Sequence, residues 1–109
     1  KYFNEDAPQY QIICAGSMGN FSLEDFLGAG YLISELVRLG LEDWTLSDSA
    51  HTAYLFYQSQ TENILSSFQK SATGRLLTEL GYSKAIGYAA QPGILPVVPR
   101  LVNSRLIAN

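Results

Sequence analysis

Apolar and polar positions follow two rhythms along this chain. Gln11-Ile12-Ile13-Cys14-Ala15 is a short apolar run with two β-branched residues, bounded by Gly16, and predicts a buried strand. Gly16-Ser17-Met18-Gly19-Asn20 then turns the chain. Beyond it, Leu23, Phe26, Leu27, Tyr31, Leu32, Leu36 and Leu39 recur at helical spacing, with Gly40 where a left-handed stop belongs. Ser22 ahead of Leu23-Glu24-Asp25 predicts a capped start, its hydroxyl taking the Asp25 amide and the Asp25 carboxylate reaching back. Gly28-Ala29-Gly30 inside this helix costs roughly 1 kcal/mol per glycine against alanine, and close packing of the helix against a sheet or another backbone accounts for it.

The pattern continues with shorter elements. Leu41 to Leu46 bridges to a helix opened by Ser47 or Asp48, running through Ala50, Ala53, Tyr54, Phe56 and Tyr57. Thr61 to Lys70 predicts a third helix and Ser71 to Gly81 a fourth, with a serine cap and a glycine stop. Ala85 to Ala90 reads as a second strand, Gln91-Pro92-Gly93 as a turn, and Ile94 to Pro99 as an extended edge whose prolines cannot donate to a ladder. The tail from Arg100 shows no clear period. Lys1 to Tyr10 reads as an irregular lead or linker, and residues 11–109 as one α/β domain: a layered α/β/α arrangement with helices covering a small, partly parallel mixed sheet.

Composition narrows the function classes. A chain of 109 residues with 47% hydrophobic residues supports one core. A net charge of −3 without a Lys/Arg cluster argues against nucleic acid or an anionic membrane as partner. One cysteine excludes an internal disulfide and fits a reducing, cytoplasmic setting; no apolar run is long enough to span a bilayer, and KYFNEDAPQ is no signal peptide.

Candidate chemistry gathers at the strand, turn and helix over residues 11–40. Glycines that let backbone amides approach, followed by a helix start, form an anion site in many α/β proteins. GSMG followed by SLED matches neither GxxxxGK[ST] nor GxGxxG, and Gly16 and Gly19 are equally explained by a tight turn. Glu24 and Asp25 suit the first turn of any helix. Arg75, beside Gly74 at a helix start, suits bidentate capture of phosphate, sulfonate or carboxylate, or pairs with Glu79 one turn on. His51 has no Cys or acidic partner at metal-ligand spacing and reads as a surface residue, while Tyr54, Phe56 and Tyr57 read as core or interface in preference to a ligand-stacking set. Cys14, in an apolar run, reads as a buried small hydrophobe, and Ser17 lacks a positioned base.

Two strings of residues resemble a known family. Ile13-Cys14-Ala15-Gly16, Gly19, Phe21-Ser22-Leu23-Glu24-Asp25 and Ala29-Gly30 are similar to the C-A-G-x-x-G-x-F-S-L-E-D block of the 2-phosphosulfolactate phosphatases of coenzyme M biosynthesis. Ser71, Gly74-Arg75, Leu77, Leu80-Gly81, Ala89-Ala90-Gln91 and Val98-Pro99 resemble that family's carboxyl-terminal pattern. The resemblance runs from about Ile12 to Pro99 and falls on the family's carboxyl-terminal half. The DVLRATST-like and TTNGT-like segments of the amino-terminal half have no counterpart in these residues, and Ala90 to Gly93 replaces a more acidic stretch.

The resemblance implies magnesium-dependent hydrolysis of a 2-phospho-hydroxy acid to the free hydroxy acid and phosphate. Such a substrate calls for backbone amides, an arginine and a divalent ion. Here the substrate contacts would come from Gly16, Ser17, Gly19, Ser22 and Arg75, and the catalytic and Mg2+-binding groups from Glu24 and Asp25. Two further readings stand beside this one: a non-catalytic α/β half that pairs with a missing amino-terminal half or with a second copy, and a small-acid binding module without hydrolysis.

Overall fold

A computed structural model describes residues 9–40 and 44–108; the predicted lead over Lys1 to Pro8 and the Leu41 to Asp43 part of the bridge lie outside them. Among the described residues five helices, α1 (Leu23–Arg38), α2 (Asp48–Gln60), α3 (Ile64–Lys70), α4 (Ala72–Glu79) and α5 (Ser83–Ala89), precede an antiparallel hairpin of β1 (Arg100–Val102) and β2 (Arg105–Ile107). Helix and strand are thus both present, but the sheet among the described residues is a two-stranded antiparallel one at the carboxyl end.

Helix α1 is built as its sequence dictates. The Ser22 hydroxyl accepts the Asp25 amide at 3.4 Å, Glu24 and Asp25 occupy the first turn and Arg38 the last, and Gly40 closes the helix at φ +88° with its amide on the Val37 carbonyl. Its buried side packs on α2, where Ala29, Ile33 and Ala53 form the core flanked by Phe26, Val37, Leu46, Ala50 and Tyr54. Phe26 stacks on Phe56 and Tyr31 meets Tyr57 edge-on, so the aromatics of α2 are packing residues, as their spacing predicts. Of the small residues in α1, Ala29 and Gly30 serve this contact. A Cβ on Gly30 would overlap the Ala53 carbonyl, whereas one on Gly28 would meet nothing within 4 Å, so Gly28 has no packing role.

The α3–α4 junction explains the S-x-x-G-R string. Ser71 ends α3 and starts α4: its hydroxyl donates to the Phe68 carbonyl at 2.8 Å and accepts the Gly74 amide at 2.9 Å. Gly74 lies against the Phe68 backbone, where a Cβ would fall 2.8 Å from the carbonyl carbon. The Arg75 guanidinium donates to the Lys70 carbonyl, one of the orphan acceptors at the end of α3. Gly81 ends α4 at φ +85°, with the Gly81 amide on Thr78 and the Tyr82 amide on Leu77, both halves of a Schellman closure.

Four expectations are corrected. The predicted third helix starts at Ile64 and not Thr61, because Thr61 caps α2 and Glu62 lies in the turn. Ala85 to Ala89 is helical and Ala90 is its C-cap: alanine has the highest helix propensity, and burial falls on Ile86 and not on alternate residues. Gln11 to Ala15 forms no strand, has no sheet partner among the described residues and is exposed, so Cys14 is exposed and not buried. Ile94 to Pro99 likewise pairs with nothing among the described residues. The strands instead form at Arg100–Val102 and Arg105–Ile107, around Asn103 and Ser104 at φ +48° and +61°, the two-residue turn whose twist suits a hairpin.

Candidate active site

The turn ahead of α1 is a closed backbone loop. The Ser17 amide donates to the Asn20 carbonyl at 3.0 Å and the Asn20 amide returns to Ser17 at 2.9 Å, with Met18 and Gly19 between them at φ +50° and +77°. Gly16 is required twice over: its φ is +73°, and a Cβ there would lie 2.6 Å from the Asn20 carbonyl oxygen. The loop is tied to the helix by Asp25, whose Oδ2 accepts the Gly16 amide at 2.7 Å. The expected reach of Asp25 back to its own cap is replaced by this longer link across nine positions, because the turn folds over the first helical turn.

Glu24 looks the other way, toward α4. Burial raises its pKa, but the Thr73 hydroxyl, its own amide and, more weakly, the hydroxyls of Ser22 and Ser71 outweigh this and hold it below the ordinary glutamate value. A small open pocket of about 90 Å³ beside it is lined by Phe68, Leu77, Ile86 and Gly74. Glu24 therefore joins the two motif strings in space, the carboxylate from the first meeting the helix start of the second.

The structure thus brings together Gly16, Ser17, Gly19, Ser22, Glu24 and Asp25 around the start of α1. It places Arg75 on the exposed side of α4, bonded to Lys70 and not to Glu79. The amides of Gly16, Ser17 and Asn20 are taken within the loop; those of Met18 and Gly19 have no partner among the described residues. Thr73 is the contributor that sequence reasoning missed, although it lies inside the Ser71 to Arg75 string and its hydroxyl is placed by the same cap that Ser71 provides.

Among the described residues no three His, Cys, Asp or Glu side chains come together, and Glu24 and Asp25 are engaged by different partners on different sides. Magnesium takes one or two carboxylates and completes its octahedron with water and phosphate. Asp25, with one oxygen on Gly16 and the other without a protein partner among the described residues, is the side chain whose chemistry fits that role.

Comparison with known proteins places the chain in a family. A sequence-family profile described as 2-phosphosulpholactate phosphatase matches residues 1–104. The chain belongs to the 2-phosphosulpholactate phosphatase family. It is 36% identical over 97 residues to a protein of Thermotoga maritima named a probable 2-phosphosulfolactate phosphatase, covering 88% of this chain and 40% of that one. Proteins of the same name from Clostridium beijerinckii and Caldanaerobacter subterraneus are 32% identical over 95 residues and 29% over 103, covering 87% and 94% of this chain and 39% and 42% of theirs. The chain thus spans about 40% of the length of the curated relatives it matches. No solved structure matches it. Both strings that meet at Glu24 lie inside the stretch shared with the 2-phosphosulpholactate phosphatase family. No helix among the described residues is long and apolar enough to cross a membrane.

Proposed function

We propose that this chain supplies part of the active site of a magnesium-dependent phosphatase. The reaction is hydrolysis of 2-phosphosulfolactate, or a related 2-phospho-hydroxy acid, to sulfolactate and phosphate in the cytoplasm, as in coenzyme M biosynthesis. The observation that carries this reading is the Asp25–Gly16 link, which fixes a glycine turn over a helix start inside the stretch shared with the family. A phosphate ester of this kind carries phosphate, sulfonate and carboxylate groups, and catalysis requires fixed donors aimed at the oxygens where charge develops. The Met18 and Gly19 amides and the start of α1 are such donors, preorganised because the loop is already bonded to itself and to Asp25. Arg75, on the helix whose start meets Glu24, is the cation for the substrate's second anionic group once it leaves the Lys70 carbonyl. Magnesium, when bound, neutralises charge on the transferring group, and Asp25 is the side chain that would hold it. Water attacks phosphorus, the ester oxygen departs, and a proton returns to it to give the hydroxy acid. The layered α/β/α fold belongs to this proposal, with further strands coming from the length that the relatives have and this chain lacks.

A second reading is favoured by that same difference in length: the chain is an α/β half without turnover of its own. The experiment is phosphate release from 2-phosphosulfolactate by the chain and by Asp25→Asn, with magnesium and after chelation. Magnesium-dependent release that Asp25→Asn abolishes supports the first reading. Folded protein with no release supports the second, and release indifferent to both treatments refutes the assignment of Asp25.

A further inference from the structure

The chain leaves far more surface open than its size warrants. Its accessible surface is 8463 Å² at 12.0 kDa, against roughly 6,000 Å² expected for a folded monomer of that mass. Its radius of gyration is 15.6 Å, against about 13 Å for a compact chain of this length. Among the described residues the buried apolar side chains are Leu27, Ala29, Ile33, Ala53 and Ile86, while Ile13, Val98, Leu101 and Leu106 are each two-thirds or more exposed. Part of this open surface is a groove of about 720 Å³ between α1, α2 and the Gln9 to Cys14 segment, lined by Ile12, Phe26, Ile33, Leu36 and Leu46.

Along that groove runs a backbone suited to strand pairing. Gln11 to Ala15 lies outside every helix and turn, contains no proline, carries Ile12 and Ile13, and its amides have no hydrogen-bond partner among the described residues. Ile94 to Pro99 is also exposed, but Pro96 and Pro99 interrupt its donors, so Gln11 to Ala15 is the stronger edge.

We infer that Gln11 to Ala15 is an inner strand that pairs with a β-strand from the part of the longer family protein this chain does not cover, and that this part closes the groove over α1 and α2. Area selects the occupant. The surplus is roughly 2,500 Å² on one chain, about three times the ~800 Å² that each partner of a standard dimer buries. The uncovered share of the relatives, about 60% of their length by difference from the 40% matched, is large enough to bury it. A two-sided burial also explains why Gln11 to Ala15 reads as a continuous apolar run and not an alternating one. This inference rests on family membership and length, not on phosphatase activity, so either can fail without the other.

The test is hydrogen exchange of this chain and of the full-length Thermotoga maritima relative. The amides of Gln11 to Ala15 should exchange freely here, while the aligned stretch of the longer protein should be slowed at least 100-fold. Ile13→Lys should leave the melting temperature of this chain within 1–2 °C, because Ile13 is 84% exposed; lysine at the aligned position of the relative should lower it by more than 5 °C. Equally fast exchange in both proteins would overturn the inference. So would concentration-dependent protection of Gln11 to Ala15 in this chain alone, since a second copy would then be the occupant.

Discussion

Substituting alanine at Gly30 and at Gly28 separates packing from propensity within one helix. Each change should gain about 1 kcal/mol of helix propensity, and neither glycine needs a positive φ. At Gly28 nothing lies within 4 Å of the new methyl group, so that gain stands. At Gly30 the methyl would lie 2.7 Å from the Tyr57 Cβ and 2.8 Å from the Ala53 carbonyl carbon, both belonging to α2, where ordinary contact begins at 3.4 Å. The Ala53 carbonyl oxygen lies closer still, so the two helices must part by on the order of 1 Å at that level, and a gap of this size forfeits roughly half of each dispersion contact between Ala29, Ile33 and Ala53. Overpacking of this kind costs about 1–3 kcal/mol, and backbone atoms as the obstacle put Gly30→Ala at the upper end. The variants should differ by about 3 kcal/mol, Gly28→Ala above the parent and Gly30→Ala about 2 kcal/mol below it. At about 4 °C per kcal/mol this separates their midpoints by about 12 °C in thermal unfolding followed by far-UV circular dichroism. Equal shifts in the same direction would refute the close α1–α2 approach.

Two further outcomes follow from the same geometry. Glu24 has a folded-state pKa below 4.5, so the stability it contributes is present above the unfolded value and is lost as pH falls through the folded one; the acid limb of the urea midpoint against pH, from about pH 6 to about pH 3, should be shallower in Glu24→Gln, and identical limbs would remove Glu24 from its place beside Thr73. Ser71→Ala removes the hydroxyl that bonds both Phe68 and Gly74 at a buried junction, and should cost roughly 1–2 kcal/mol in urea unfolding, with an unchanged midpoint contradicting the double cap.

The candidate site was readable in its parts and not in its assembly. The Ser22 and Ser71 caps and the Gly16 and Gly19 turn are properties of three or four consecutive residues, and their backbone chemistry has few alternatives. That Asp25 holds Gly16, and that Glu24 points to Thr73, depends on how the turn folds over α1 and how α4 approaches it. Neither fact has a signature at fixed spacing. Arg75 shows the same limit in the other direction: its chemistry suits an anion, yet the α3–α4 bend offers it a carbonyl within reach.

The sequence by itself determined where α1, α2 and α4 begin and where α1 and α4 end, because capping side chains and left-handed glycines act over one turn: Ser22 and Gly40, Ser47, Ser71 and Gly81 all stand where that local chemistry requires. It also determined the family, through two strings of residues that the profile recovers over 1–104. Tertiary structure decided the rest. Ala85 to Ala89 is helical because Ile86 packs beside Phe68 and Leu77, and Gly30 is glycine because α2 passes within van der Waals distance. Gln11 to Ala15 has the composition of a strand, but a strand is made by its neighbour's hydrogen bonds, and the described residues of this chain provide no such neighbour.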